Sequence, residues 1–246
     1  EDIILEICSK DPSSKFDNLV CSGGVFYNSV AHGRVVRESN YRNVFIYPAA
    51  GDSGNSLGAA FAYLYTSGYP ISPSSLSTAY LGRDFDKQQT IDFLTSNSIS
   101  YLDLDFSDSI HLLANLLSEE KVISVFHGRA EHGPRSLGNR SILASPIHSS
   151  MKDIVNEKIK FRELFRPFAP ATIPEYASKY FNLQTNSRLY DFMLATCQVK
   201  SSAQPFLQAT THIDGSARVQ IVDYRQNPFF HSLISSFGSL TSTYAL

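Results

Sequence analysis

The sequence predicts an α/β fold in two parts, and three observations lead to that prediction. Twice in the first third, a short apolar run is followed by a glycine-rich turn and a segment that is compatible with a helix. Prolines and serines then replace the periodic pattern over residues 68–82. Beyond them, helical and strand-like patterns alternate again, so we expect the second part to be mixed α/β as well.

The first strand–turn–helix unit lies in "NLVCSGGVFYNSVAHGR" (residues 18–34), where a helix is predicted to follow the pair Gly23 and Gly24 and to end at Gly33. The second lies in "NVFIYPAAGDSGNSLGAAFAYLYTSG" (residues 43–68), with a strand over 44–47 and a helix that ends at Gly68. The apolar face of this helix is formed by Leu57, Ala60, Phe61 and Leu64.

A domain boundary is predicted near residue 78, which divides the chain into 1–77 and 78–246. In the second part we expect helices in "SDSIHLLANLLSEEK" and over 149–160 and 227–237, and strands in "KVISVFHG", "FMLATCQV" and "ARVQIVDY". The apolar faces of the three helices are Ile110, Leu113, Ala114 and Leu117; Met151, Ile154, Val155 and Ile159; and Phe230, Leu233, Ile234 and Phe237.

Composition limits the classes of function. The 246 residues are 43% hydrophobic and carry a formal net charge of −2, so no overall field attracts nucleic acid or an anionic membrane. Neither a membrane-spanning apolar run nor a signal-peptide pattern occurs, which predicts a cytoplasmic protein without a membrane partner. Cys8, Cys21 and Cys197 are odd in number and far apart, and we expect them to be reduced and structural.

The densest group of cations begins in "GRAEHGPRSLGNRSILASP" (residues 128–146). Between residues 127 and 170 there are eight Lys or Arg and four Asp or Glu, a local balance of +4 in a net-acidic chain. Arg135, Asn139 and Arg140 lie in a Gly/Pro-rich turn, where backbone N–H groups can face an anion and guanidinium groups can bind phosphate oxygens. The pattern predicts a phosphate pocket.

A second group, "KIKFRELFRPFAPA" (residues 158–171), alternates cations with aromatic residues. Pro167 and Pro170 favour an extended path from which Lys160 and Arg166 can point into a common cleft. Two alternatives stay open: a solvated charged face with weak ion pairs, and phenylalanines that belong to the core. A metal site built from His127 and His132 is not favoured, because neither has a third ligand nearby in the sequence.

Five segments, in order and over nearly the whole chain, resemble the O-carbamoyltransferases of the nodulation-protein NodU and cephalosporin carbamoyltransferase type. They are "CSGGVFYNSVAHGR", "IYPAAGDSGNSLGAAFAY", "FHGRAEHGPRSLGNRSILASP", "NEKIKFRELFRPFAPA" and "HIDGSARVQIV". The resemblance implies the C-terminal part of an ASKHA (actin/sugar-kinase-like) domain over 1–77 and a YrdC-like twisted α/β domain over 78–246. It also implies that carbamoyl phosphate and ATP, with Mg²⁺, form carbamoyl-adenylate, from which a hydroxyl of a small molecule such as a sugar or antibiotic takes the carbamoyl group.

Site residues are carried over by the same resemblance. Arg135, Lys160 and Arg166 match the family's catalytic cations. Substrate or nucleotide binding is implied for Arg129, Asn139, Ser141, Arg218, Gly23, Gly24 and Asn28. Asp52 matches an aspartate ligand of a divalent metal, for which iron is expected, although from the residues alone a helix N-cap is the better interpretation.

The chain also departs from the family pattern. It opens near the glycine turn, without the pair of histidines that complete the family's metal site, so we expect a fragment with little activity of its own. His132 stands where a phenylalanine is usual, and the roles of Glu131 and His132 stay open. There are two alternative functions. One is threonylcarbamoyl-adenylate chemistry for tRNA modification. The other is a nucleotide- or RNA-binding module without turnover, and the net negative charge of the chain disfavours this second alternative. The identity of the acceptor and a homodimer are left open.

Overall fold

The computed structural model of the chain describes residues 1–9, 16–71, 78–184 and 187–246. Within these ranges the α-helices are α1 (Asp2–Ile7), α2 (Ser29–Glu38), α3 (Asn55–Thr66), α4 (Lys87–Ser96), α5 (Phe106–Ser118), α6 (Ser150–Ile154), α7 (Pro174–Tyr180) and α8 (Pro228–Thr241). Single 3₁₀ segments cover Gly24–Tyr27, Asp52–Gly54, Arg188–Phe192 and Gln204–Phe206, and a π-helical segment covers Val155–Lys160.

The strands are short and form small sheets. They are β1 (Asn18–Cys21), β2 (Asn43–Ile46), β3 (Ile123–Phe126), β4 (Arg140–Leu143), β5 (Ala171–Thr172), β6 (Phe181–Asn182), β7 (Cys197–Val199), β8 (Ser216–Ala217) and β9 (Gln220–Ile221). β1 pairs in parallel with β2 and β5 with β9, whereas β3–β4 and β6–β7–β8 are antiparallel. The fold is mixed α/β, as predicted, while the ASKHA and YrdC-like architectures stay a prediction.

The first strand–turn–helix unit is present, but the prediction that its helix ends at Gly33 is wrong. α2 continues to Glu38. Gly33 lies in the helix where it packs against Thr196, and a Cβ at this position would be 2.5 Å from Thr196 Oγ1 and 2.6 Å from the Thr196 carbonyl oxygen. The glycine therefore serves a close approach between helix and neighbouring chain, and not a helix stop.

The second unit contains α3 where it is predicted, followed by Gly68 in the left-handed region (φ +74°). Its apolar face is not buried: Phe61 is 42% and Leu64 is 36% exposed, and α3 has no buried residue among the part of the chain that the structure describes. The periodicity therefore predicts the helix correctly without identifying what covers it.

Two main groups of buried side chains form the core. One joins residues of the first part, such as Val35 and Ile46, to residues of the second part, such as Phe181 and Leu194. The other lies between α5 and α8. The predicted apolar face of α8, which is Phe230, Leu233, Ile234 and Phe237, is 1% exposed or less at every position, so this prediction is confirmed. The boundary near residue 78 stays a prediction, and residues 72–77 lie outside the described ranges.

The helix predicted over 149–160 changes type in its middle. It begins as α6 and becomes π-helical at Val155–Lys160. Met151 and Val155 are buried as predicted, but Ile159 is 41% exposed because the wider i→i+5 turn moves it off the face. The segment ends at Phe161, whose φ of +47° lies in the left-handed region, so the chain turns sharply before the second cationic group.

Two predicted strands are shorter than expected. Of "FMLATCQV" only Cys197–Val199 is a strand. The segment "ARVQIVDY" is split, because β8 pairs with β7 while β9 pairs with β5 in a different sheet. Arg218 and Val219 lie in the step between the two sheets.

The remaining predictions at this level concern the cysteines and the membrane. Cys8, Cys21 and Cys197 are free and buried. None of the helices in the described ranges combines the length and the apolar character that are needed to cross a membrane.

Gly33 and Gly58 provide a stability test, because both are helical glycines with different surroundings. Gly58→Ala meets no atom within 4 Å, so we expect it to stabilise the fold by about 0.5–1 kcal/mol. Gly33→Ala should lower the free energy of unfolding by about 1–3 kcal/mol through overpacking against Thr196. Urea denaturation of the two variants measures both values, and equal stabilisation by both would contradict the packing of α2.

Candidate active site

A cavity of about 270 Å³ lies between the loop that begins at Pro134, α6 with its π-helical extension, and the step at Arg218. Its lining contains five cations, which are Arg135, Lys152, Lys160, Arg162 and Arg218. Among the described residues that line it, none is Asp or Glu. A cavity with this lining is suited to a small ligand that carries several negative charges.

Arg135 and Arg218 are half-buried cations of this lining. The Nε atom of each is shut off from solvent, and no described residue accepts a hydrogen bond from it. Burial lowers the pKa of Arg135. Burial and the positive charges of Arg135 and Arg162 lower the pKa of Arg218 to about 10. Unpartnered guanidinium nitrogens of like charge in one cavity are the expected arrangement of an anion site.

Arg162 completes the set and is a residue that sequence reasoning did not select. Its Nε donates to Oδ1 of the fully buried Asn156 at 2.6 Å, and its guanidinium lies over the ring of Phe168 at 4.7 Å. Burial and the neighbouring Arg166 lower its pKa. The available signal was its place in "KFRELFR", but nothing in the spacing distinguishes Arg162 from Arg166.

Lys160 lies at the end of the π-helical segment and lines the cavity, as its predicted role requires. Arg166 does not line the cavity. Its guanidinium is half exposed and lies 3.7 Å from the carboxylate of Glu163. The structure therefore brings Arg135 and Lys160 together with Arg218 and leaves Arg166 outside, and the catalytic role of Arg166 stays a prediction.

The sequence predicts that backbone N–H groups of the loop between β3 and β4 can face an anion, and four of these groups bind within the protein instead. The N–H groups of Leu137, Asn139 and Arg140 all donate to Oε1 of Glu131, at 2.8, 2.9 and 3.1 Å. The N–H of Gly138 donates to Oγ of Ser141 at 2.9 Å. The Glu131 carboxylate thus accepts hydrogen bonds that an anionic ligand could otherwise accept. The charged groups that line the cavity are side-chain cations.

Three other predicted residues hold this loop in place. Arg129 donates to the carbonyl oxygens of Leu81 and Gly82. Asn139 donates to the carbonyl of Arg129 at 2.8 Å and accepts from Asn227 at 2.8 Å. Ser141 does line the cavity, although its hydroxyl accepts the bond from Gly138. Direct binding by Arg129 and Asn139 stays a prediction, since protein partners already occupy their polar atoms.

The residues predicted for nucleotide binding surround the turn after β1. Gly23 has a φ of +112° and donates to the carbonyl of Ala50 at 2.7 Å. A Cβ at Gly23 or Gly24 would meet no atom within 4 Å, so open space adjoins both positions. Asn28 caps α2 by accepting from Ala31 N–H at 3.1 Å.

Asp52 opens a 3₁₀ segment, but its side chain forms no capping hydrogen bond, which is at odds with the N-cap interpretation. No group of three or more His, Cys, Asp or Glu side chains in the described ranges can hold a metal ion. Asp52 therefore has no set of partner ligands among the described residues, and the iron site stays a prediction.

His132 connects the loop between β3 and β4 to the loop that contains Asp52. Its Nδ1 lies 2.8 Å from the hydroxyl of Tyr47, and its Nε2 lies 3.1 Å from the carbonyl oxygen of Ser53. Arg135 donates from NH2 to the carbonyl of Tyr27 at 2.8 Å. The loop between β3 and β4 therefore contacts both glycine-rich turns of the first part.

The fold is mixed α/β, and its cationic cavity is suited to a small anionic ligand. Comparison with known families gives the class: residues 1–61 match the model of the carbamoyltransferase N-terminus, and residues 114–246 match that of the carbamoyltransferase C-terminus. The chain belongs to the carbamoyltransferase family, and the resemblance drawn from the sequence is confirmed.

Individual relatives agree with this assignment. The nodulation protein NolO of Bradyrhizobium diazoefficiens is 36% identical over 225 residues, which are 91% of this chain and 41% of NolO. The 3'-hydroxymethylcephem-O-carbamoyltransferase of Amycolatopsis lactamdurans is 34% identical over 90% of this chain and 40% of its own length. Nodulation protein U of Azorhizobium caulinodans is 35% identical over 83% of this chain and 34% of its own length. The chain spans less than half the length of each.

Phosphate tests the cavity as an anion site. Inorganic phosphate at 100 times its Kd should raise the free energy of unfolding by about 2.7 kcal/mol. Arg218→Met should abolish this gain, and without phosphate it should leave stability unchanged or raise it by about 1–4 kcal/mol, because an uncompensated buried charge is removed. Thermal denaturation with and without phosphate measures both effects.

Arg225→Met is the matched control for this measurement, because Arg225 is exposed and pairs with Asp223 outside the cavity. It should keep the phosphate effect. Equal phosphate stabilisation of the Arg218→Met variant and the unchanged chain would show that the cavity is not where phosphate binds.

Proposed function

We propose that the protein takes part in ATP-dependent O-carbamoyl transfer and that its cavity binds carbamoyl phosphate and the adenylate made from it. The observation that supports this proposal is the lining of five cations, which contains no Asp or Glu side chain among the described residues. Membership of the carbamoyltransferase family supports the carbamoyl group as the group that is transferred.

The proposed first step forms carbamoyl-adenylate from carbamoyl phosphate and ATP. Carbamoyl phosphate and water give carbamate and phosphate. A carbamate oxygen then bonds to the α-phosphorus of ATP, the bond to the bridging oxygen breaks, and pyrophosphate leaves with the electron pair. The product is carbamoyl-adenylate, a mixed anhydride with AMP as its leaving group.

The side chains of the cavity supply what this step needs. Negative charge gathers on phosphoryl oxygens as the bonds form and break, and fixed cations stabilise it more strongly in a water-poor cavity than in water. Arg135 and Arg218 bring guanidinium groups to the cavity lining, and Arg162 is oriented by Asn156 before any ligand binds. Lys160 supplies a mobile charge at the edge of the same cavity.

In the proposed second step, the hydroxyl oxygen of an acceptor bonds to the carbamoyl carbon and AMP leaves. The name of the cephem carbamoyltransferase describes such an acceptor for that relative, and we propose a small-molecule alcohol such as a sugar or antibiotic for this protein. Since Asp52 lacks partner ligands in the described ranges, we propose that the metal and acceptor sites need the part of the family's length that this chain does not span.

Carbamoyl phosphate dependence separates this proposal from threonylcarbamoyl-adenylate chemistry. We expect this chain to bind carbamoyl phosphate, and to release pyrophosphate from MgATP slowly when carbamoyl phosphate is present, without completing transfer to an alcohol. Arg135→Ala or Lys160→Ala should reduce the rate at least tenfold, because each removes a charge-assisted contact. A coupled pyrophosphate assay measures the rate.

Two experimental results, one from this assay and one from RNA binding, would contradict the proposal. Pyrophosphate release that needs threonine and bicarbonate in place of carbamoyl phosphate would favour the tRNA-modification function. Binding of single-stranded RNA with a steep dependence on salt, and no pyrophosphate release, would favour the nucleic-acid module.

The pair Arg162 and Arg166 tests the geometry of the site against the family motif. Arg162→Ala should weaken carbamoyl phosphate binding about tenfold or more, because Arg162 lines the cavity. Arg166→Ala should change affinity less than about threefold, as expected for an exposed cation that pairs with Glu163. Isothermal titration calorimetry gives both dissociation constants, and a larger loss in the Arg166 variant would reverse the assignment.

A further inference from the structure

Glu131 is an acidic residue inside the most cationic segment of the chain, and the proposed reaction gives it no task. Its Oε1 accepts three backbone N–H groups, from Leu137, Asn139 and Arg140, at 2.8 to 3.1 Å. Glu131 is half buried and does not line the cavity. Any effect it has on a ligand must therefore act through the loop that it closes.

That loop carries cavity residues. Pro134, Arg135, Ser136 and Gly138 lie between Glu131 and Arg140, the last residue whose N–H Glu131 accepts, and all four line the cavity. The carboxylate thus closes a ring of backbone from residue 131 to residue 140. Hydrogen bonds to an ionised acceptor are roughly twice as strong as neutral ones, so the ring is held by its strongest type of contact.

The opposite side of the loop is held by neutral groups. The carbonyl of Leu137 accepts from the hydroxyl of Tyr80 at 2.7 Å and from Nε2 of Gln220 at 2.9 Å. A side chain at Gly138, whose φ is +111°, would collide with the ring of Phe230. The loop therefore fits one position between Glu131 and α8.

We propose that Glu131 is the positioning residue of the anion cavity: its carboxylate gathers the N–H groups of the loop so that Arg135 reaches the ligand. The inference rests on the anion-binding part of the proposed function and adds a residue that the family resemblance leaves without a role. It makes a prediction whose sign differs from that of simple electrostatics.

By Coulomb's law alone, an acidic side chain near the cations weakens anion binding, so its removal should tighten binding. If Glu131 positions the loop, its removal should weaken binding instead. Glutamine keeps the shape of the side chain and one oxygen for the three N–H groups, but it loses the negative charge that strengthens these hydrogen bonds. The proposal therefore ranks anion affinity as Glu131 above Glu131→Gln above Glu131→Ala, whereas electrostatics alone places both neutral variants above the unchanged chain.

The probe is inorganic phosphate, titrated calorimetrically at a temperature at which circular dichroism shows each variant to be folded. Glu131→Gln should weaken phosphate binding about tenfold, and Glu131→Ala should weaken it further. Amide hydrogen exchange at Leu137, Asn139 and Arg140 should accelerate in the same order. If Glu131→Ala fails to fold, the glutamine variant still tests the sign.

Glu157→Gln is the matched control, because it removes the same charge from an exposed position of the π-helical segment beside the cavity. It should bind phosphate as well as, or slightly better than, the unchanged chain. Glu131→Gln binding as tightly as this control, or an unchanged chain that binds no phosphate, would overturn the proposal. Phosphate binding in the predicted rank without any pyrophosphate release would leave it standing and overturn the proposed reaction.

Discussion

Arg135 and Arg218 share a cavity whose described lining contains no Asp or Glu side chain, and the local architecture follows from this constraint. Both residues are half-buried. Guanidinium groups of like charge repel one another when they are partly withdrawn from water, and an anion in the cavity would offset that repulsion. The fold can hold them there because both lie on firmly anchored backbone: Arg218 lies in the step between β8 and β9, and Arg135 lies in a loop fixed by Glu131 on one side and by Tyr80 on the other.

The arginines of residues 128–146 have different tasks although they are close in sequence. Arg129 and Arg140 donate to backbone carbonyls of the surrounding loops, and Arg140 also lies 3.6 Å from the centre of the Phe126 ring. Arg135 alone of the three lines the cavity. Glu131 meanwhile satisfies the N–H groups that would otherwise attract an anion. The loop thereby binds the N–H groups of residues 137–140 within the protein and brings the Arg135 guanidinium to the cavity lining, which favours recognition through a side chain with directed hydrogen-bond geometry.

How much of this could be predicted depends on the range of the interactions. Periodicity predicts α5 and α8 well, because amphipathic spacing reports directly which face is buried. It fails at Gly33 and Ile159, where a tertiary contact and a π turn decide the outcome. The positive charge of the site is visible in the composition, but the choice of Arg162 over Arg166 as a lining residue depends on the path of the chain after Phe161. The three bonds of Glu131 depend on a loop closure that no local pattern encodes; an acidic residue within a basic Gly/Pro-rich turn is the only signal.

The same loop also links the two predicted parts of the chain. Arg135 contacts the carbonyl of Tyr27 with one nitrogen and faces the cavity with others, while His132 contacts Tyr47 and Ser53 beside Asp52. Gly133 completes the contact, since a Cβ there would lie 2.7 Å from the carbonyl oxygen of Pro48. A shift of the loop would therefore move both the Arg135 guanidinium and the contacts of the loop with the glycine-rich turns.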